Sequence, residues 1–66
     1  MIKTDELKVI IFKRGMSQSE VARLIGIAPK TFYEKMDRGV FGSNEIEAMI
    51  DILRIDDPIA IFFARE

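Results

Sequence analysis

The stretch SQSEVARLIGIAPKTFYEKM, residues 17–36, restricts the fold more than any other part of the chain. Ser17 can cap a helix by accepting from a first-turn amide. Glu20, three residues on, is placed to accept from the amide of Ser17 in return, and this capping box predicts a helix starting at Gln18. Val21, Leu24 and Ile25 recur at i, i+3 and i+4 and predict one apolar face, while Ala22 is small enough for a second helix to approach closely. Gly26 ends the helix with a positive φ, a conformation in which a side chain costs free energy. Ile27 then drops into the core beneath the turn. Pro29 suits the first position of a new helix and biases Ala28 to an extended conformation just outside it. In that second helix Phe32 and Met36 mark the buried side, and Lys30, Thr31, Tyr33, Glu34 and Lys35 face outward. Two short helices joined by a tight turn, the second turned outward, are therefore predicted.

The flanking segments continue the pattern. A first helix is predicted from Thr4 or Asp5 to Arg14, with Thr4 as N-cap, Asp5 and Glu6 at the positive end of the helix dipole, and Lys13 and Arg14 at the negative end. Leu7, Ile10 and Ile11 form its core stripe, and Gly15 closes it. Val9 and Phe12 lie off that stripe and are expected to be partly covered by a neighbouring helix. Met16 precedes the Ser17 cap and is placed to staple onto the next helix. After Asp37-Arg38-Gly39 ends the outward helix, Phe41 plugs the core beneath a loop and Ser43 caps a fourth helix running from Asn44 to about Arg54. Ile46, Met49, Ile50 and Leu53 give that helix an amphipathic stripe, with Glu45, Glu47 and Asp51 on its outer face. Asp57-Pro58 starts a short fifth helix. Ile59, Ile61, Phe62 and Phe63 are too many apolar groups for one narrow buried face; Phe62 and Ile59 are expected to close the core.

A chain of 66 residues with 48 % hydrophobic residues, many at helical spacing, reads as one all-α domain over residues 1–66. Without Cys or His it has no disulfide staple, no thiolate or imidazole zinc site and no His-based acid/base catalysis. No cofactor or metal is predicted. No signal-peptide pattern occurs and no apolar run approaches the roughly 20 residues of a membrane span, so a cytoplasmic domain without a membrane partner is expected. The net charge is −1, but it is polarised. From Lys13 to Gly42, six basic residues face three acidic ones, a net of +3; from Ser43 to Glu66, two basic residues face six acidic ones, a net of −4. The positive end coincides with the two-helix stretch.

Gln18-x3-Ala22-x3-Gly26-Ile27 followed by an apolar Phe32 resembles the helix-turn-helix of the phage lambda repressor/Cro family, over essentially the whole chain. Thr31 to Met36 followed by a Gly looks like small phage Cro-like regulators. Two positions depart from the family pattern. Ala28 replaces the usual Ser or Thr cap, forfeiting about 1 kcal/mol, and the late apolar position is shifted from Lys35 to Met36. The resemblance implies five short helices in a lambda-repressor-like DNA-binding domain whose recognition helix, about 29–38, enters the major groove. It implies a Cro-type transcriptional repressor, in a bacterial host or prophage, that binds double-stranded operator DNA as a homodimer. Carried over residue by residue, Ala28, Pro29, Lys30, Thr31, Tyr33 and Glu34 are the candidate base contacts. Lys30 is suited to guanine O6 and N7, and Glu34 to cytosine N4. Ser17, Gln18, Lys35, Arg38, Ser43 and Asn44 are the candidate phosphate contacts. Ile61, Phe62 and Phe63 are the candidate dimer or partner interface.

Two rivals come from other classes. Low net charge and an apolar C-terminal segment also suit an antirepressor, a module that binds a partner repressor rather than DNA. An enzyme using Asp56 and Asp57 as paired carboxylates is the weakest alternative, because adjacent acids before a proline make a helix cap and no base or metal cage stands beside them.

Overall fold

Five helices, α1 (Thr4–Lys13), α2 (Gln18–Leu24), α3 (Pro29–Arg38), α4 (Ser43–Leu53) and α5 (Pro58–Phe62), form in a computed structural model that describes residues 2–64. No strand occurs among the described residues, so the fold is all-α. Arg65 and Glu66, which entered the charge balance, lie outside the described residues.

Local chemistry sets most helix ends. The Ser17 hydroxyl accepts from the Glu20 amide at 3.1 Å and the Glu20 carboxylate accepts from the Ser17 amide at 3.0 Å, which is the anticipated capping box. Gly26, at φ +85°, makes the turn between α2 and α3. Ala28 is extended, Pro29 opens α3, and Gly39 closes it in the left-handed region at φ +71°. At α5 the Asp57 carboxylate accepts from the Ala60 amide at 3.3 Å, one residue before the proline, as the Asp-Pro pair predicts.

Two starts differ from expectation. Lys3, not Thr4, is the N-cap residue of α1 and has no side-chain cap bond. Its amide instead donates to the Ile61 carbonyl at 2.8 Å, so the entry of this helix is set by contact with α5. Gly42, not Ser43, is the N-cap residue of α4, and Ser43 is the first helical residue. Glycine has no side-chain oxygen to offer, but Glu45 reaches back to accept from its amide at 2.8 Å, which makes half a capping box.

The core gathers Leu7 and Ile11 of α1, Val21 and Ala22 of α2, Phe32 and Met36 of α3, and Met49 and Leu53 of α4. Phe41 is buried in the loop after α3, its ring tilted against that of Phe32 with centroids 5.3 Å apart, so the expected plug is in place. Ile2 and Ile55 complete the core from segments outside the helices. Ile10, Met16, Ile25, Ile27, Ile46 and Ile50 are partly buried against it.

Several apolar residues do not point where periodicity put them. Leu24 is 58 % exposed. With successive residues about 100° apart, Val21, Ile25 and Ala22 fall within a 100° arc, and Leu24 lies outside it by a further 60° or so. Tiny Ala22 joins the buried arc because α3 comes close, and that turns Leu24 out. Val9 and Phe12 lie away from the Leu7–Ile11 side of α1, and no helix covers them; Phe12 is 80 % exposed. In α5 the Lys3–Ile61 bond holds Ile61 and Phe62 inward, both buried. Ile59, expected in the core, is thereby turned out, and Phe63 is exposed as well.

Candidate nucleic-acid interface

The surface that carries the candidate residues is built from the amino end of α2, the outer side of α3 and the amino end of α4. The short Gly26 turn and the α2–α3 packing, the densest contact between any two helices, hold the first two as one unit. A side-chain bond reinforces them across the surface, since Ser19 Oγ of α2 and Tyr33 Oη of α3 share a hydrogen bond of 3.3 Å. That bond brings the first turn of α2 beside the exposed middle of α3. Ser19 was not among the sequence candidates; its position two residues past the cap carries no signal of its own.

Along α3, Lys30, Tyr33, Glu34 and Arg38 are exposed together with Asp37, and Ala28 is exposed just before the helix. Pro29 and Thr31 are half-buried at its start. These residues offer an ammonium, a phenol, a carboxylate and a guanidinium along one helix face. Lys30, Glu34 and Arg38 succeed one another at i, i+4 and i+8, yet none is in an ion pair among the described residues, so all three heads are available to a partner.

At the amino end of α2, Ser17 is exposed and Gln18 half-buried. The Ser17 hydroxyl and amide are both engaged with Glu20, so a partner there meets the amides of Gln18 and Ser19 and the Gln18 side chain. At α4, Ser43 and Asn44 are exposed and their first-turn amides have no carbonyl four residues back within the helix.

Lys35 departs from its expected role. Its ammonium donates to both oxygens of Glu45, at 2.7 and 2.6 Å, in an ion pair whose carboxylate side is only 9 % exposed. Glu45 was expected on the outer face of α4; it is buried, and it carries the Gly42 amide as a third donor. Burial pushes the Glu45 carboxyl up. The Lys35 hydrogen bonds, the Gly42 amide and the Lys35 charge together outweigh that and hold it below the ordinary glutamate value. A sequence signal did exist for the Gly42–Glu45 bond. With Ser43 as cap, the third helical position would be Ile46, which returns no hydrogen bond; with Gly42 as cap it is Glu45, which does.

The interface candidates at the C-terminal end also divide. Ile61 and Phe62 are buried within the fold and are not available to a partner. Phe63 is exposed and borders a mainly apolar hollow of about 480 Å³ with Phe41, Ile46 and Ile50, edged by Ser43 and Glu47 of α4.

The positive charge read from the sequence is spread differently in space. Arg14 donates through Nε to the Leu53 carbonyl at 2.6 Å and through Nη2 to the Arg54 carbonyl at 3.1 Å, closing the end of α4. With Lys13 it lines a groove whose other side carries Asp56 and Asp57. Lys35 is neutralised by Glu45. Arg23, Lys30 and Arg38 remain exposed on α2 and α3, against Glu20, Glu34 and Asp37, which leaves the exposed charge of these two helices near neutrality. No family model, no curated protein and no solved structure matches the chain.

Proposed function

We propose that this protein is a sequence-specific, double-stranded DNA-binding regulator of the Cro type, acting in the cytoplasm of a bacterial host, with α3 as the helix that enters the major groove. The observation that carries the reading is the tie between Ser19 and Tyr33. It brings the free first-turn amides of α2 and the exposed row of α3 onto one continuous surface. In a helix-turn-helix docked on DNA, the second helix lies in the groove and the helix before it spans the backbone, so these two features must be neighbours. Lys30 is set to meet guanine O6 and N7, Tyr33 and the Thr31 methyl to pack on a thymine methyl, and Glu34 to accept from cytosine N4. Arg38 and the amides of Gln18, Ser43 and Asn44 hold phosphates. Two copies joined through Phe63 and the hollow beside it would read half-sites about 34 Å apart.

The near-neutral surface favours a second reading, in which the same face binds a partner repressor and the protein is an antirepressor. One experiment separates the two. Pure protein is enriched on a random duplex library beside Lys30→Ala. Paired inverted half-sites, lost in the variant, support the DNA reading; no enrichment even at low salt overturns it and leaves the partner reading.

A further inference from the structure

The Lys35–Glu45 pair does more than join two helices. A lysine ammonium and a free amide at the start of a helix are the two kinds of donor that hold a phosphate group. Here Lys35 Nζ and the Gly42 amide converge from α3 and from the amino end of α4. Both are filled by the chain's own anion, the Glu45 carboxylate, with all three contacts between 2.6 and 2.8 Å. The filled cradle lies beside Ser43 and Asn44, where the proposed function puts the DNA backbone.

We propose that Glu45 is an internal substitute for a DNA phosphate, occupying Lys35 and the Gly42 amide so that one phosphate contact fewer forms and base contacts carry a larger share of binding. The inference rests on the DNA-binding reading above and deepens it, because it names the residue that sets the balance between sequence-dependent and sequence-independent affinity. Three features agree with it. The carboxylate is buried, so its hold on Lys35 is not screened away as a surface pair would be. Lys35 lies on the flank of α3 next to α4, while Arg38 on the same helix stays unpaired and exposed. The surface as a whole is near neutrality, which the withdrawal of Lys35 helps bring about.

The test is the salt dependence of binding to a selected duplex, because each lysine engaged on a phosphate adds about 0.9 to the slope of log K against log salt. In Glu45→Gln the amide oxygen still caps Gly42, but Lys35 loses its anion. The slope is expected to steepen by about 0.9, so that raising salt from about 50 to about 200 mM costs about three- to fourfold more affinity than in the parent protein. Lys35→Met with Glu45→Gln removes both charges together and is expected to return the slope to the parent value. Asp51→Asn removes one exposed acidic charge elsewhere on α4, away from the hollow, and is expected to leave the slope alone. Thermal unfolding of each variant establishes that the folded protein is being compared, and the double variant, which buries no lone charge, keeps the test open if Glu45→Gln is unstable. An unchanged slope in Glu45→Gln, a slope in the double variant about 0.9 shallower than the parent's, or equal steepening in Asp51→Asn would overturn the inference while leaving the DNA reading in place. Absence of DNA binding by the parent and every variant removes both.

Discussion

Arg54 ends α4 at φ +50° and ψ +55°, the only residue other than glycine with a positive φ among the described residues. Its carbonyl accepts from Arg14, so the conformation is held from outside rather than preferred by the residue itself. A left-handed arginine costs about 1–2 kcal/mol, and glycine gives back part of that gain through the greater freedom of its unfolded chain. Arg54→Gly is therefore expected to stabilise the fold by about 0.5–1 kcal/mol, read as a raised urea midpoint at unchanged slope. Glu45 makes a second prediction at this scale. Its carboxyl is depressed in the folded state, so the pair contributes its stability above the unfolded value and loses it as pH falls through the folded one. The parent protein is expected to lose stability below about pH 4.3 more steeply than Lys35→Met with Glu45→Gln. Urea midpoints across the acid range check the difference; parallel curves would contradict it.

Helix ends follow rules written within four or five residues. The Ser17–Glu20 box, the Pro29 and Asp57-Pro58 starts and the Gly39 stop were therefore legible in the sequence. Which way a short helix faces is decided by what packs against it. Leu24 faces solvent because Ala22 lets α3 close in, and Ile59 because Lys3 holds Ile61 inward. The candidate surface divides the same way. The exposed row of α3 could be read from Phe32 and Met36 on the opposite side. The loss of Lys35 to Glu45, ten residues away, and of Arg14 to α4, 39 residues away, depends on contacts that no local pattern encodes. The α2–α3 turn itself makes an element-scale prediction. Gly26 sits at φ +85° with nothing within 4 Å of where a Cβ would stand, so Gly26→Ala meets backbone strain but no clash. A loss of about 1 kcal/mol in unfolding free energy is expected and, on the DNA-binding proposal, DNA affinity per folded molecule is preserved. A larger loss of affinity than of folded protein would mean that the turn geometry itself has shifted.

The assembled molecule presents two faces of different character. One is the polar, nearly neutral surface of α2, α3 and the start of α4; the other is the mainly apolar hollow bordered by Phe63, and the two meet at Ser43. If the second joins two copies, Phe63→Glu should leave monomer stability within about 0.5 kcal/mol, since the side chain is 60 % exposed. Sedimentation should then show monomers at concentrations where the parent is dimeric, and library selection should return single half-sites. A dimer that survives the change would assign self-association to another face, and the exposed Phe12 and Val9 of α1 are the next candidates.

The bond from the Lys3 amide to the Ile61 carbonyl also closes the chain on itself. Most contacts here are local in sequence, but this clasp closes a loop of nearly the whole chain. Closing that loop costs little more than closing one half as long, because the entropy grows only with the logarithm of length. The Arg14 bonds to the Leu53 and Arg54 carbonyls shorten it further by tying α1 to the end of α4. The clasp thus joins the two ends of the described chain across the side of the core that Ile2, Ile61 and Phe62 cover.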